Sequence, residues 1–295
     1  MSADHAVKIF KQLKSEDFRV LTAIELGMTS HRYAPEREVF RLSELTEDAA
    51  IFHLKRLYTY GLIRRWVGPY VGYVLNMAGY DCLAINALVK AGLLQAFGKP
   101  LGVGKEADVY DALSPSGEQI AVKFHRLGRI SFRQTKRARG YVAEREHISW
   151  LYQSRLAAER EYQALQMTYS HGVSVPKPIG QNRHVIVMGF IEGIELANYA
   201  EIPKSKTVLD EILRNIRRAY VRAGIIHADL SEFNVILKPD GHVLIIDWPQ
   251  FVTKDHPNAD MLLERDVKNL VRFFRRKFGI EREVNAYIRY VKGEK

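Results

Sequence analysis

The sequence predicts an α+β chain of two domains: a small helical module closed by a β-hairpin, then a larger mixed domain in two lobes. Three observations predict it. FRVLTAIELGM (18–28) and VFRLSELTEDAAIFHLKRLYTYGLI (39–63) place apolar residues at helical spacing, and IRRWVG and YVGYVLN then alternate around Gly68-Pro69. A glycine-rich turn, GVGKEADVY (102–110), leads into alternating strands. HADLSEFN (227–234) is followed by IIDW (245–248), with two β-branched runs between them joined at Asp240-Gly241, a hairpin turn pair.

In the first module the 39–63 segment breaks near Leu45-Thr46. Thr46 suits an N-cap, Glu47 and Asp48 suit the positive first turn, and Gly61 suits a helix stop. The hairpin follows, then AGYDCLAINALVKAG as a closing helix. This order is that of a winged helix-turn-helix. The start of its recognition helix carries Glu44, Glu47 and Asp48, which repel phosphates. His53, Lys55 and Arg56 lie farther along, and Arg64 and Arg65 lead into the wing. Sequence-specific DNA binding is therefore not expected; loose RNA docking, a protein contact or packing against the second domain is. The expected boundaries are a winged-helix domain over 1–84, a linker over 85–98, and a two-lobed domain over 99–295, divided between residues 190 and 191.

In the second domain Gly102 and Gly104 stand in G-x-G-x-x-A-x-V, with Ala107 at the third glycine position. Glycines let backbone amides come close to phosphates. DVYDAL, a Ser-Gly turn and QIAVKFH follow, so Lys123 is the expected ammonium for the phosphates of a nucleotide. Its carboxylate partner is sought in LAAEREYQAL (156–165), where Glu159 and Glu161 are candidates and Glu161 is favoured. HVIVMGF then places Met188 beside an adenine, with the backbone of Gly189 and Ile191 as its hydrogen-bonding edge. Val103, Lys105 and Glu106 in the turn, and Val109 and Ala121 on the strands, complete the expected nucleotide-binding set.

Asp229 lies five residues before Asn234 and eighteen before Asp247, the spacing of a kinase catalytic loop and its metal-binding aspartate. Asp229 is the expected acceptor of a hydroxyl proton. Asn234 and Asp247 offer the oxygens that magnesium, a hard cation, prefers. Lys123, Asp229 and Asp247 are the expected catalytic residues.

Composition narrows the context. No apolar run approaches the ~18 residues of a membrane span, and MSADHAVKIFKQLK lacks the apolar stretch of a secretion signal. Cys82 is the single cysteine, so no intrachain disulfide forms. A cytoplasmic protein is expected. The net charge of +10 is uneven: residues 1–88 hold 11 Lys+Arg against 10 Asp+Glu, and the rest 33 against 24. A nucleotide alone does not need that surplus; a ribonucleoprotein partner would use it. HRLGRISFRQTKRARGYV (125–142) holds six Lys or Arg and no acid. It reads as a solvated loop or a phosphate-backbone contact, and its Ser131 is the expected autophosphorylation site.

GVGKEADVY, AVKFHR…SFR, AEREYQAL, HADLSEFN, IIDWPQ and RDVKNLVRFF together resemble the RIO atypical protein kinases. The likeness covers nearly the whole chain, and the N-terminal winged helix points to the type-two branch. Ordinary kinases would have Arg at Ala228 and Lys at Ser231. The short C-terminus is similar to that of archaeal members. The resemblance implies a reduced kinase fold and an autophosphorylating serine kinase that uses ATP with magnesium, or manganese in its place. It also implies a role in maturing the small ribosomal subunit, with its precursor and rRNA as partners, and an ATPase-like cycle through phosphorylated Asp247. Asp266 would begin the helix that supports the catalytic loop. Arg265-Asp266 begins only eighteen positions after Asp247, too few for an activation segment plus a peptide-docking region. A small-molecule phosphotransferase of the aminoglycoside or choline type shares H-x-D-x-x-x-x-N and I-D-W but does not usually carry a winged helix or GKEADVY. A nucleic-acid-binding pseudokinase scaffold is a further alternative, opposed by the intact Lys123, Asp229, Asn234 and Asp247.

Overall fold

The computed structural model describes residues 3–127, 150–280 and 283–294. Ser131 and most of the basic stretch around it, including Arg133, Lys136 and Arg137, lie outside the described residues.

The first domain is a winged helix-turn-helix: α1 (Asp4–Phe10), α2 (Ser15–Gly27), β1 (Ala34–Pro35), α3 (Glu36–Ser43), α4 (Glu47–Thr59), β2 (Ile63–Val67), β3 (Val71–Leu75) and α5 (Met77–Lys90). The chain breaks between α3 and α4 at Glu44, which is left-handed at φ 53°. Arg19 holds that turn by donating to the carbonyls of Ser43 and Glu44. Thr46 caps α4 by accepting from the Ala49 amide. Gly61, at φ 65°, ends the helix region where a side chain would be strained. The strands pair in the order β1-β3-β2. His53 does not face outward from α4. It is buried, with Nδ1 2.7 Å from Asp17 Oδ1, and Arg56 donates to the Gln12 carbonyl beside it. The exposed face of α4 instead shows Phe52 and Tyr58.

The expected linker over 85–98 is mostly regular structure. Helix α5 continues to Lys90 and β4 (Ala96–Val103) opens the next sheet, so only 91–95 connect them. The sheet is antiparallel, in the order β4-β5-β6-β8-β7, with β5 Ala107–Leu113, β6 Gln119–His125, β7 Pro178–Asn182 and β8 Val185–Gly189. Side chains along a strand alternate between faces, and here both faces are buried. Ile120, Val122 and Phe124 of β6, with Val185 and Val187 of β8, join the winged helix in one core. Ala121, Ile186 and Met188 point the other way, toward α6 (Trp150–Ser170) and the cleft. The winged helix thus forms the back wall of the N-lobe.

The C-lobe comprises α7 (Ser205–Arg218), a π-turn (Ala219–Ala223), α8 (Ala259–Phe278) and α9 (Val284–Lys292) around two small sheets. These are β12-β11-β9 (Val243–Ile245, Val235–Leu237, Ile194–Glu195) and β10-β13 (Ile225–Ile226, Val252–Thr253). Asp240-Gly241 turns between β11 and β12 as expected, with Gly241 at φ 86°. Among the described residues no helix is long and apolar enough to cross a membrane.

Candidate active site

Strand β6 carries Lys123 into the cleft because its position alternates with the back-facing Val122 and Phe124. Its ammonium lies 2.8 and 2.7 Å from the Glu161 oxygens and 2.8 Å from Asp247 Oδ1. Glu161 is buried in α6, whereas Glu159 is turned outward to Arg155, so the structure selects Glu161. Burial would push Lys123 down, but Asp247 and Glu161 overcome it and hold the ammonium protonated above its ordinary range. Burial would likewise raise Glu161, yet Lys123 keeps it ionised. His125, which alternation places on the same face as Lys123, brings Nε2 within 2.9 Å of Glu161, off the line of a hydrogen bond.

The catalytic loop follows β10. Ala228 is left-handed at φ 64°, and the Asp266 carboxylate holds it by accepting from the amides of Ala228 (2.7 Å) and Leu230 (3.1 Å). Arg265 donates to the Ala228 carbonyl. Asp266 sits within α8, not at its start, which is Ala259. Burial pushes its carboxyl up to about 7, against those two amides and Arg265. Asp229, between the two tethered amides, is exposed. His227 is buried beneath, donating from Nε2 to the Ile246 carbonyl at 3.0 Å, and burial lowers its pKa.

Asn234 and Asp247 are brought together by the β11-β12 hairpin, with Asn234 Nδ2 3.5 Å from Asp247 Oδ2. Ser231 donates to Asn234 Oδ1 at 2.9 Å. Asp247 is itself left-handed, at φ 67°, which turns its side chain back toward Lys123. Although burial opposes it, the Lys123 ammonium draws the Asp247 carboxyl down to about 2. A carboxylate and an amide oxygen on one hairpin suit magnesium, which is commonly bound by few protein oxygens together with substrate phosphates. The donor set therefore fits the metal.

The nucleotide cradle lies at the β4-β5 turn. A Cβ on Gly102 would meet nothing, so the fold itself does not require glycine there. A ligand approaching the backbone would. The Gly104 amide donates to the Ala107 carbonyl and closes the turn, leaving Val103, Gly104 and Lys105 exposed and Glu106 half-buried. Val109, Ala121 and Met188 pack in one apolar cluster beyond it, a surface on which a flat ring can lie. Of the two expected hinge residues, Gly189 has its amide committed to the Lys177 carbonyl at 2.9 Å. Ile191 makes no backbone bond among the described residues, so its N–H and C=O remain open to a ligand.

Sequence reasoning missed the charges behind the cleft. Arg126, fully buried, donates to Asp81 of α5 (2.6 and 3.0 Å) and to Asp108 of β5 (2.9 Å). His184 donates from Nε2 to the same Asp81 at 2.7 Å. Burial would raise the Asp81 carboxyl, but Arg126 and His184 hold it below the ordinary range. Nothing in the sequence signals this network, because its members are 18 to 103 residues apart.

A five-stranded lobe with a Lys–Glu pair, an Asp-bearing loop tethered by a buried aspartate, and an Asn/Asp hairpin defines a protein-kinase fold of reduced form. Family comparison narrows the class. Residues 108–287 match the RIO domain and residues 10–91 match the Rio2 N-terminal domain. The RIO-type serine/threonine-protein kinase Rio2 of Methanocaldococcus jannaschii is 44% identical over 261 residues, 87% of this chain and 94% of that protein. The Serine/threonine-protein kinase rio2 of Schizosaccharomyces pombe is 37% identical over 98% of this chain and 84% of its own length. A solved Rio2 kinase–ADP/Mg2+–phosphoaspartate complex from Chaetomium thermophilum superposes with a TM-score of 0.84 at 33% identity, covering 97% of this chain and 88% of that one. The chain belongs to the RIO family of serine/threonine-protein kinases, in the branch that carries the Rio2 N-terminal domain. A small-molecule phosphotransferase is thereby set aside.

Proposed function

We propose that this kinase binds ATP with magnesium, autophosphorylates on serine, and turns over ATP through a phosphorylated aspartate while bound to a precursor of the small ribosomal subunit. The observation that carries the chemical part is the convergence of Lys123 on Glu161 and Asp247, with Asn234 beside Asp247. A pseudokinase scaffold would not need to keep that geometry.

The chain's own residues divide the work. Glu161 fixes the Lys123 ammonium, which draws phosphate oxygens into place. The backbone of the exposed turn at 103–105 approaches the phosphates. Asn234 and Asp247 would hold magnesium, which when bound neutralises charge on the transferring phosphoryl group. For serine transfer, Asp229 accepts the hydroxyl proton, the serine oxygen bonds to the γ-phosphorus, and the bond to the ADP oxygen breaks. For turnover, an Asp247 oxygen attacks that phosphorus, ADP leaves, and water later hydrolyses the acyl phosphate to inorganic phosphate and free carboxylate. The C. thermophilum Rio2 kinase, solved as a complex of ADP, Mg2+ and phosphoaspartate, supports this route. Manganese would serve in the same oxygen site.

Asp229→Ala and Asp247→Ala are each expected to reduce autophosphorylation by ~100-fold or more, on the order of a lost general base or metal ligand. Melting temperature should stay near wild type. Asp247→Ala should also abolish any acid-stable, hydroxylamine-labile phosphate on the protein. Wild-type rates in either variant would overturn the site assignment. The ribosomal part is tested by nucleotide-dependent co-sedimentation with small-subunit precursors.

A further inference from the structure

On the face of the C-lobe formed by α7 and α9, four arginines surround one hollow. Arg214, Arg217 and Arg218 of α7 and Arg222 of the π-turn line about 320 Å³, together with Val221 and Tyr290 of α9. Among the described residues, none of the four has a carboxylate within ion-pair distance. Elsewhere Arg126, Arg155 and Arg183 are all paired. Arg217 donates to the Tyr290 carbonyl and lies 4.9 Å over its ring, and Arg218 donates to the Gly172 carbonyl at 3.1 Å. Carbonyls position these two side chains without neutralising them. Arg214 and Arg222 are exposed.

Positions 214, 217, 218 and 222 fall on one side of a helix and span roughly 12 Å at 1.5 Å per residue. The π-turn, Ala219–Ala223, is an unusual local widening of the kind often retained at functional sites. Like charges held this close repel one another, a cost that a bound polyanion relieves. The patch has an edge: the adjoining hollow, which shares Arg214 and Tyr290, brings in Asp210 and Glu283.

We propose that this arginine-lined hollow binds the phosphodiester backbone of single-stranded RNA. The planar guanidinium fork matches phosphate oxygens in pairs, and the patch uses arginine to the exclusion of lysine. Tyr290, 39% exposed at the rim, offers an aromatic surface to a base, as single-strand sites commonly do. The hollow is too small for a duplex. The proposal rests on the RNA partner proposed above and gives it a surface away from the nucleotide cleft.

The test is a titration of the full chain with unstructured oligouridylate at several salt concentrations, beside the variant Arg214→Gln/Arg218→Gln/Arg222→Gln. Three lost phosphate contacts should flatten the salt slope by about two units and weaken binding at least ~tenfold at low salt. ATP affinity and autophosphorylation should be unchanged. The double variant Arg214→Gln/Arg222→Gln alters only exposed side chains and should show about two thirds of the loss with an unaltered melting temperature. If both variants bind RNA with wild-type affinity and slope, this surface is wrong and the RNA partner stands. If the wild-type chain phosphorylates itself but shows no salt-dependent RNA binding, the ribosomal reading falls and this inference with it. Polyglutamate binding the hollow as tightly as RNA would overturn the choice of ligand.

Discussion

Asp266 shows how one side chain sets the catalytic loop. Its two oxygens hold the amides on either side of Asp229, and Ala228 stays left-handed at a cost of roughly 1–2 kcal/mol because of them. Asp266→Asn replaces one acceptor with an NH2 group that faces a backbone N–H. Autophosphorylation kcat is expected to fall about tenfold, while ADP affinity stays within about twofold, because the Lys123–Glu161 pair is untouched. Parallel measurement by single-turnover kinetics and calorimetry checks this; an equal loss in both would mean that the whole cleft, not the loop, had moved. The convergence of Lys123, Asn234 and Asp247 was legible in the sequence because each residue stands in a short local motif. Asp266 was legible only as a motif member, and its place inside α8 was not. His125 escaped notice because a strand histidine acquires meaning only when another helix brings Glu161 to it.

Strand β6 shows the same at the scale of an element. QIAVKFH was expected to be a strand that carries Lys123 into the cleft, and it is a strand whose Lys123 reaches Glu161 and Asp247. Its alternation does not say what covers the second face, since either partner needs only apolar positions. The structure places α6 and the cleft on one face and the winged helix on the other, and at the strand's end Arg126 turns toward Asp81, Asp108 and His184. Burial holds His184 down at about 4 from 6.5, with Asp81 opposing and Arg126 and His125 adding to the shift. The unfolded chain takes up this proton near pH 6.5 and the folded chain only near 4. The contribution is therefore complete above pH 6.5 and is lost as pH falls toward 4, by about 3 kcal/mol at most. His184→Gln keeps a side-chain donor and cannot titrate. Urea unfolding at about pH 7 and about pH 4.5 should show a smaller acid loss in the variant than in wild type; equal losses would place the acid sensitivity elsewhere.

At the scale of the whole molecule, the expected separation of winged helix and kinase by a long linker gives way to a shared core. A charge count and a composition shift mark two modules in the sequence, but neither reports that Ile120, Val122, Phe124, Val185 and Val187 lean on the first module. Two further contacts cross the same boundary: Arg183 pairs with Glu25 at 2.5 Å, and Tyr110 donates to Asp4 at 2.7 Å. Strand β6 therefore presents Lys123 to the nucleotide on one face while its other face is supported by the winged helix. Disturbing the first module should be felt in the cleft. Asp81 is the position to test, because it is on α5, has no cleft residue among its hydrogen-bond or ion-pair partners in the described residues, and partners both Arg126 and His184. Removing one member of a buried ion pair leaves the other charge uncompensated, at a cost of about 3–5 kcal/mol. Asp81→Ala is expected to lower the melting temperature of one cooperative transition for the entire chain, seen together by far-UV circular dichroism and by tryptophan fluorescence from Trp66 in the wing, Trp150 at the start of α6 and Trp248 beside the catalytic loop, resolved with single-tryptophan variants. ATP affinity should fall in the same variant although residue 81 lies in the winged helix. Two separated transitions, with only the Trp66 signal shifted and ATP affinity intact, would show that the modules fold apart and that the common core does not couple them.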